Sequence, residues 1–490
     1  MFNMRSGLGI SVVVVIMSFF IVGSCNNNGG KAPLGPPFQN PIQISSINGV
    51  LDVTYNAAVS PAEVGGKPFM SAQYNGMIAP PTLRVNPGDT IRLTLNNFLE
   101  MMTNVHYHGM NVSPLSPSDD VFIMITPNSG FEYEVQVPED HPEGMFYYHA
   151  HLFGITEFQI MSGLSGGLIV EGILDPFPQL QGITEQIMYL KDFQIVDGEI
   201  PPEGMIDPSG PTNFTVNGQT NPTITMRPGE TQFWQLANIG ADLYYDLVLE
   251  GHLFYQIERD GNRRNQTIER NSILMPTSSR VGVLVQANEP GRYKLRARKF
   301  NTGPQGDQYG GATLLTVNVE GDPIQDPITL PIPMNQFPPV ENLCDQVIAV
   351  DRTIEFSETA DGNTFFINGK EFDPERVDTE VKIGDYERWT VTNTSGELHV
   401  FHIHLTDFVV CEVNGEQQPF VGKQDTVNVP YQGQDPNFEG PGEVVIVIDF
   451  TNPIIEGKAV YHCHLGEHED NGMMAVFEAC AEPPCPDFDE

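Results

Sequence analysis

The sequence predicts an all-β chain of three β-sandwich domains in tandem. Three observations carry this: the length, the wealth of turn formers, and one motif that recurs at a domain-sized period. At 490 residues the chain is too long for a single hydrophobic core. Its hydrophobic share of 40% is ordinary, but 47 Gly and 40 Pro cut it into short runs, and no long helical apolar stripe stands out. Short strands bounded by turns are the expected product.

The first copy of the motif runs Tyr74-Asn75-Gly76, Pro81-Thr82-Leu83-Arg84-Val85, Pro87-Gly88-Asp89-Thr90, and then the alternating stretch from Ile91 to Asn97. The second is Val216-Asn217-Gly218, Pro222-Thr223-Ile224, Pro228-Gly229-Glu230-Thr231, and Gln232 to Asn238. A looser third runs Ile367-Asn368-Gly369, Val381-Lys382-Ile383-Gly384-Asp385, and Arg388 to Asn393. Each reads as turn, strand, tight turn, strand, with alternate residues facing a core between two sheets. The copies lie about 140 to 150 residues apart, a domain period rather than a solenoid period. Boundaries then fall near Gly172 to Pro178 and in the proline-rich stretch Asp322 to Pro339, giving domains at 45–174, 175–322 and 323–490. The middle one holds no histidine cluster and reads as a spacer.

Asp and Glu number 63 against 24 Lys and Arg, a formal net charge of -39. Such a field repels a phosphate backbone, so nucleic acid is excluded as a partner. It serves solubility first, and attraction of cationic substrates or metal ions second.

At the N-terminus Arg5 precedes an apolar run from Leu8 to Val22, too short to span a bilayer comfortably. Residues 1–24 therefore read as a signal peptide. The ending Val22-Gly23-Ser24-Cys25 resembles the lipobox of bacterial lipoproteins, which implies cleavage before Cys25 and a lipid on its sulfur. Residues 25–44, opening Asn26-Asn27-Asn28-Gly29-Gly30, suit a tether. The expectation is an exported monomer, periplasmic or at the cell surface, anchored to the outer membrane. Cys344, Cys411, Cys480 and Cys485 are candidates for disulfides in any of three pairings.

Ten of the 12 histidines fall into four short clusters. These are His106-Tyr107-His108, His149-Ala150-His151, His399-Val400-Phe401-His402-Ile403-His404, and His462-Cys463-His464 followed by His468. His141 and His252 lie outside them and read as ordinary histidines. In a strand, residues i and i+2 share a face, so each His-x-His pair can offer two imidazoles to one metal centre. If His462 and His464 share a face, Cys463 points to the other, where His399, His468 and Met473 are spare ligands. A thiolate with two imidazoles and a weak Met sulfur makes a blue-copper electron-transfer site. The remaining eight histidines suit copper that binds oxygen. Zinc would account for one His/Cys site but not for four paired clusters.

The run from His462 to Met474, His-Cys-His-Leu-Gly-Glu-His-Glu-Asp-Asn-Gly-Met-Met, resembles the C-terminal copper signature of multicopper oxidases. With His106-Tyr107-His108-Gly109 and the other clusters it covers the family's four copper-binding segments in order, and three-domain bacterial laccases and periplasmic cuprous oxidases are the most similar members. The resemblance implies three cupredoxin-like Greek-key sandwiches and four copper ions. His399, Cys463 and His468 would hold the type 1 copper with Met473 as axial ligand. His106 and His402 would hold type 2, and His108, His149, His151, His404, His462 and His464 the type 3 pair. The trinuclear site would lie between the first and third domains. Val400 stands where the family mostly has Pro, Leu405 where it mostly has Gly, and His151 is followed by Leu152-Phe153-Gly154.

Dioxygen needs four electrons to reach water, and organic reductants give one at a time. The expected activity is one-electron oxidation of a phenol or aromatic amine coupled to reduction of dioxygen, with Cys463 linking the two centres. Asp119, Asp120 and Glu467 are the candidates for proton delivery. Oxidation of Cu(I) or Fe(II) is the alternative, weakened because the 18 Met are scattered, with Met101, Met102, Met110 and Met124 read as packing residues. A copper-sequestering lipoprotein is the non-enzymatic alternative; a phenol-dependent oxygen uptake would discriminate.

Overall fold

The computed structural model describes residues 33–486; the signal segment and Cys25 lie outside them. Strands dominate and pair into three successive two-sheet sandwiches. The first packs a five-stranded sheet, Gln43–Ser45, Thr82–Val85, Ser165–Val170, Gly144–His149 and His106–His108, against a four-stranded one. The second and third each pair a six-stranded with a five-stranded sheet. The third domain's five-stranded sheet runs Val377–Lys382, Met474–Cys480, Gly457–Cys463, His399–Ile403, Thr426–Val429.

The recurring Asn-Gly pairs have one physical cause. Asn75 and Gly76, Asn217 and Gly218, and Asn368 and Gly369 all take positive φ, between 53° and 74°, as a two-residue hairpin turn matched to strand twist requires. In each copy the Asn side chain also accepts a backbone N–H from a neighbouring strand, from Asn56, Tyr189 and Glu355 respectively. The turn is thereby tied to the sheet. The chain's two tryptophans, Trp234 and Trp389, sit at matching places in the second and third copies. Both are fully buried, and each indole N–H donates to the side chain two residues before it, Gln232 or Glu387.

One apolar core fills the first sandwich, around Leu93, Tyr133 and Val135, and another runs continuously through the second and third. Two short helices lie at the seam of the first and third sandwiches. Asp470, closing the helix Gly466–Asp470, accepts the N–H groups of Gly154, Thr156 and Glu157 and so caps the helix Thr156–Ser162. Cys344 pairs with Cys411 and Cys480 with Cys485, while Cys463 is a buried free thiol. Among the described residues no helix is long and apolar enough to cross a membrane.

Candidate metal centre

Strand register assembles the clusters. His106 pairs opposite His149, and His402 opposite His462. His399 and His402 are three apart in one strand and therefore face opposite ways, as do Cys463 and its two neighbours. One strand pair thus serves two sites on its two faces.

On one face His399, Cys463 and His468 bring their ligand atoms within 4.8 Å of one another, all buried. Cys463 Sγ lies 3.7 Å from His399 Nδ1 and 3.6 Å from His468 Nδ1, and accepts the Val400 N–H at 3.3 Å. Met473 is fully buried beside them, its carbonyl accepting the Cys463 N–H at 3.0 Å. Burial pushes the Cys463 thiol above its ordinary range. Phe365 stacks on the His468 ring at 4.1 Å. The outer nitrogen, His468 Nε2, lies 3.3 Å from Glu397 Oε1 with the ring only 4% exposed.

On the other face the remaining eight histidines form three overlapping groups: His106, His108 and His402; His108, His149 and His464; His151, His404 and His462. His151 and His404 Nε2 each lie 3.3 Å from His462 Nε2, and His464 Nε2 lies 3.2 Å from His108 Nδ1. His106, His149 and His402 each direct Nδ1 at an acceptor, Asp119, the Ala150 carbonyl and the Asp425 carbonyl, which fixes the tautomer and leaves Nε2 as a lone-pair donor. These three Nε2 atoms are buried with no protein partner. Burial holds His149 at about 3 and His151 at about 4, so these two imidazoles are neutral and fit to bind metal. Neutral imidazoles with one thiolate group beside them fit copper.

Carboxylates flank this cluster. Asp119 lies 3.1 Å from His106 Nδ1 and is raised to about 7 by burial. Asp120 is half-buried on the wall of a cavity of about 470 Å³ that also reaches His151. Glu467, the third candidate for proton delivery, faces other acids: its N–H donates to Asp242, and burial followed by repulsion from Asp307, Asp207, Glu203 and Glu358 lifts it to about 7. The carboxylate that meets the histidines is Glu469, 3.2 Å from His462 Nδ1 and 3.6 Å from His151 Nε2. Burial alone would raise Glu469, but its interactions with His151 and His462, including the hydrogen bond with His462, outweigh it and hold it at about 2.

The middle sandwich is more than a spacer. Its Arg280 is fully buried and donates both terminal nitrogens to Asp425, at 2.9 and 2.5 Å. Its Thr277 hydroxyl donates to the His464 carbonyl. Arg280, Asp425 and Glu397 have partners remote in the chain, so no local pattern marks them; Glu469 lies within the run from His462 to Met474, where nothing local separates it from Glu467. His141 and His252 are ordinary, with both ring nitrogens hydrogen-bonded to backbone. Of the methionines read as packing residues, Met110 is buried and Met101 packs on the first core, whereas Met102 and Met124 are 40% and 60% exposed.

Three cupredoxin-like sandwiches carrying a His/Cys site and an all-histidine site on one strand pair define a class of copper proteins. The chain belongs to the multicopper oxidase family: models described as multicopper oxidase match residues 57–174, 191–322 and 346–481. It is 28% identical over 414 residues to the multicopper oxidase mco of Staphylococcus aureus, covering 82% of each chain. Among solved structures it is similar to a Campylobacter jejuni multicopper oxidase described as a metallo-oxidase, with a TM-score of 0.76 and 25% identity over 91% of this chain and 96% of that one. A laccase from Pediococcus acidilactici gives a TM-score of 0.74 and 25% identity over 92% and 96%. The chain is therefore a copper-dependent oxidoreductase with dioxygen as acceptor.

Proposed function

We propose that the chain couples one-electron oxidation of a metal cation, Fe(II) before Cu(I), to reduction of dioxygen to water. The observation that carries the substrate is Glu397 against His468: the side chain through which a reductant would deliver electrons is 4% exposed and is met by the Glu397 carboxyl group at 3.3 Å. Burial, then the hydrogen bond and charge of Glu358 and the charge of Asp307, raise Glu397 to about 10, so it holds a proton that an arriving cation displaces. A neutral phenol needs an open apolar cleft to touch that ring. A cation needs only oxygen ligands nearby, and carboxylates prefer hard Fe(II) to soft Cu(I). The Campylobacter jejuni relative's description as a metallo-oxidase supports this reading; the Pediococcus acidilactici laccase supports a phenol or aromatic amine as the second.

His399, Cys463, His468 and Met473 would hold one copper, His106 and His402 a second, and His108, His149 and His464 with His151, His404 and His462 the remaining pair. Bound copper supplies the one-electron steps and the reduction of dioxygen. Around it, the chain's own groups keep the imidazole tautomers, join the two sites through Cys463 and its two neighbours, and relay protons through Asp119, which holds one near neutral pH, and Glu469, the ionised acceptor beside His462. Oxygen uptake by the copper-loaded protein on Fe(II), Cu(I) and a phenol, side by side with Glu397→Ala, tests the substrate. The expected result is Fe(II) fastest, with Glu397→Ala slowing Fe(II) about tenfold or more and sparing the phenol; a phenol favoured in both proteins contradicts it. We also propose export and lipid attachment at Cys25, which intact-mass analysis of the membrane fraction tests: the unmodified sulfur would contradict it.

A further inference from the structure

The second and third sandwiches enclose a cleft of about 570 Å³ that takes no part in the copper chemistry. In a chain with 24 basic residues against 63 acidic ones, four arginines, Arg259, Arg264, Arg270 and Arg298, share its wall. Asp246 is the one acid on that wall, and Arg298 occupies both of its oxygens, at 2.7 and 2.8 Å. Arg259 reaches Asp260 at 3.4 Å, but Asp260 already accepts the Arg280 N–H. Arg264 is 3% exposed, its one side-chain bond is to the Lys423 carbonyl, and its buried Nε has no partner.

Asp260 and Glu258 act on Arg264 at a distance but neither hydrogen-bonds to it; a buried guanidinium without a bonded carboxylate is costly, and three crowded together repel one another. Burial, then Arg259, pushes Arg264 down to about 9, and the same two causes lower Arg270. An anion with charge on more than one side removes both penalties, and planar guanidiniums grip paired oxygens.

From this geometry we propose that the cleft is a binding site for a small multivalent oxyanion, a phosphate or a polycarboxylate, held by Arg259, Arg264 and Arg270. The anion bridges arginines on two adjacent strands of the middle sandwich, Phe254–Arg259 and the edge strand Asn262–Arg270, to the segment Val421–Gln424 of the third. It lies apart from the copper groups, so it stands whether or not the reductant reading does.

The test is calorimetric titration of the full chain, copper-loaded, with inorganic phosphate and separately with tricarballylate, against chloride at matched ionic strength. Saturable one-to-one binding of either probe, absent with chloride, is expected, and which probe binds distinguishes the two sources. Arg259→Gln with Arg270→Gln, both reached by solvent, should weaken it about tenfold or more. Arg264→Gln should do the same where circular dichroism and a single thermal transition show the fold intact. Absence of binding by both probes, an equal response to chloride, or undiminished binding in the double variant would overturn the proposal.

Discussion

Arg280 of the middle sandwich holds Asp425 of the third through two parallel charge-assisted bonds, both side chains being fully buried. Asp425 in turn fixes one imidazole and approaches a second. Its carbonyl accepts His402 Nδ1 at 2.9 Å, and its Oδ1 faces His108 Nε2 at 3.5 Å. His402 is thereby left to offer Nε2. Gly109 makes room: at φ +80° it presses against the pair, and a Cβ there would overlap both partners. Replacing Arg280 with Met should weaken copper binding at His402 and His108 by about 10- to 100-fold. Copper content and the type 2 paramagnetic signal should fall while the blue absorbance stays; an unchanged signal would refute the clamp.

Glu469 touches His462 and His151, whereas Glu467 faces other carboxylates. Glu469→Gln should lower turnover by about 100-fold or more while reduction of the blue site by Fe(II) keeps its rate. Glu467→Gln should cost less than about tenfold. Stopped-flow reduction and steady-state oxygen uptake separate the two effects.

Val400 donates its N–H to Cys463 Sγ at 3.3 Å, at the position where the resembling family mostly has a proline, which has no N–H to give. A hydrogen bond to the sulfur draws charge from it and favours the reduced metal. Val400→Pro should therefore lower the reduction potential of the blue site. Redox titration of the blue absorbance reads the shift, and a rise would contradict the assignment.

Copper uptake should depend on pH differently at the two sites. Burial holds His149 and His151 near about 3 and 4, below the ordinary imidazole value of about 6.5. Their neutral, ligating form is thus fully present above about pH 5 and is lost only as pH falls through those values, so no proton on either ring competes between pH ~5 and ~7. Burial acts on Cys463 in the other sense and keeps the thiol protonated there. Copper must displace that proton, so affinity at the blue site should rise about tenfold per pH unit. Copper titrations at three pH values, following blue absorbance and total copper separately, check both slopes.

The sandwiches and the two faces of the His462–His464 segment were legible because they follow from local rules. A strand alternates, and Asn-Gly fits one kind of turn. The disulfide partners Cys344 and Cys411 lie 67 residues apart, and Arg280 lies 145 from Asp425, distances over which no local pattern selects a partner. Glu469 was hidden for a different reason. It follows His468 in a single helical turn, where adjacent residues diverge by about 100°, so choosing between it and Glu467 requires knowing which side of the turn faces the histidines. Met102 and Met124 escaped because a scattered methionine carries no period.

The central claim is complete reduction of dioxygen through a site that depends on Cys463. Its most direct test is the stoichiometry of oxygen uptake with Fe(II) by the copper-loaded protein, with peroxide assayed alongside and Cys463→Ser as the paired variant. The account predicts four Fe(II) oxidised per dioxygen, no peroxide, and loss of both turnover and blue colour in the variant. Two Fe(II) per dioxygen with peroxide released, or turnover that survives the loss of Cys463, would contradict it.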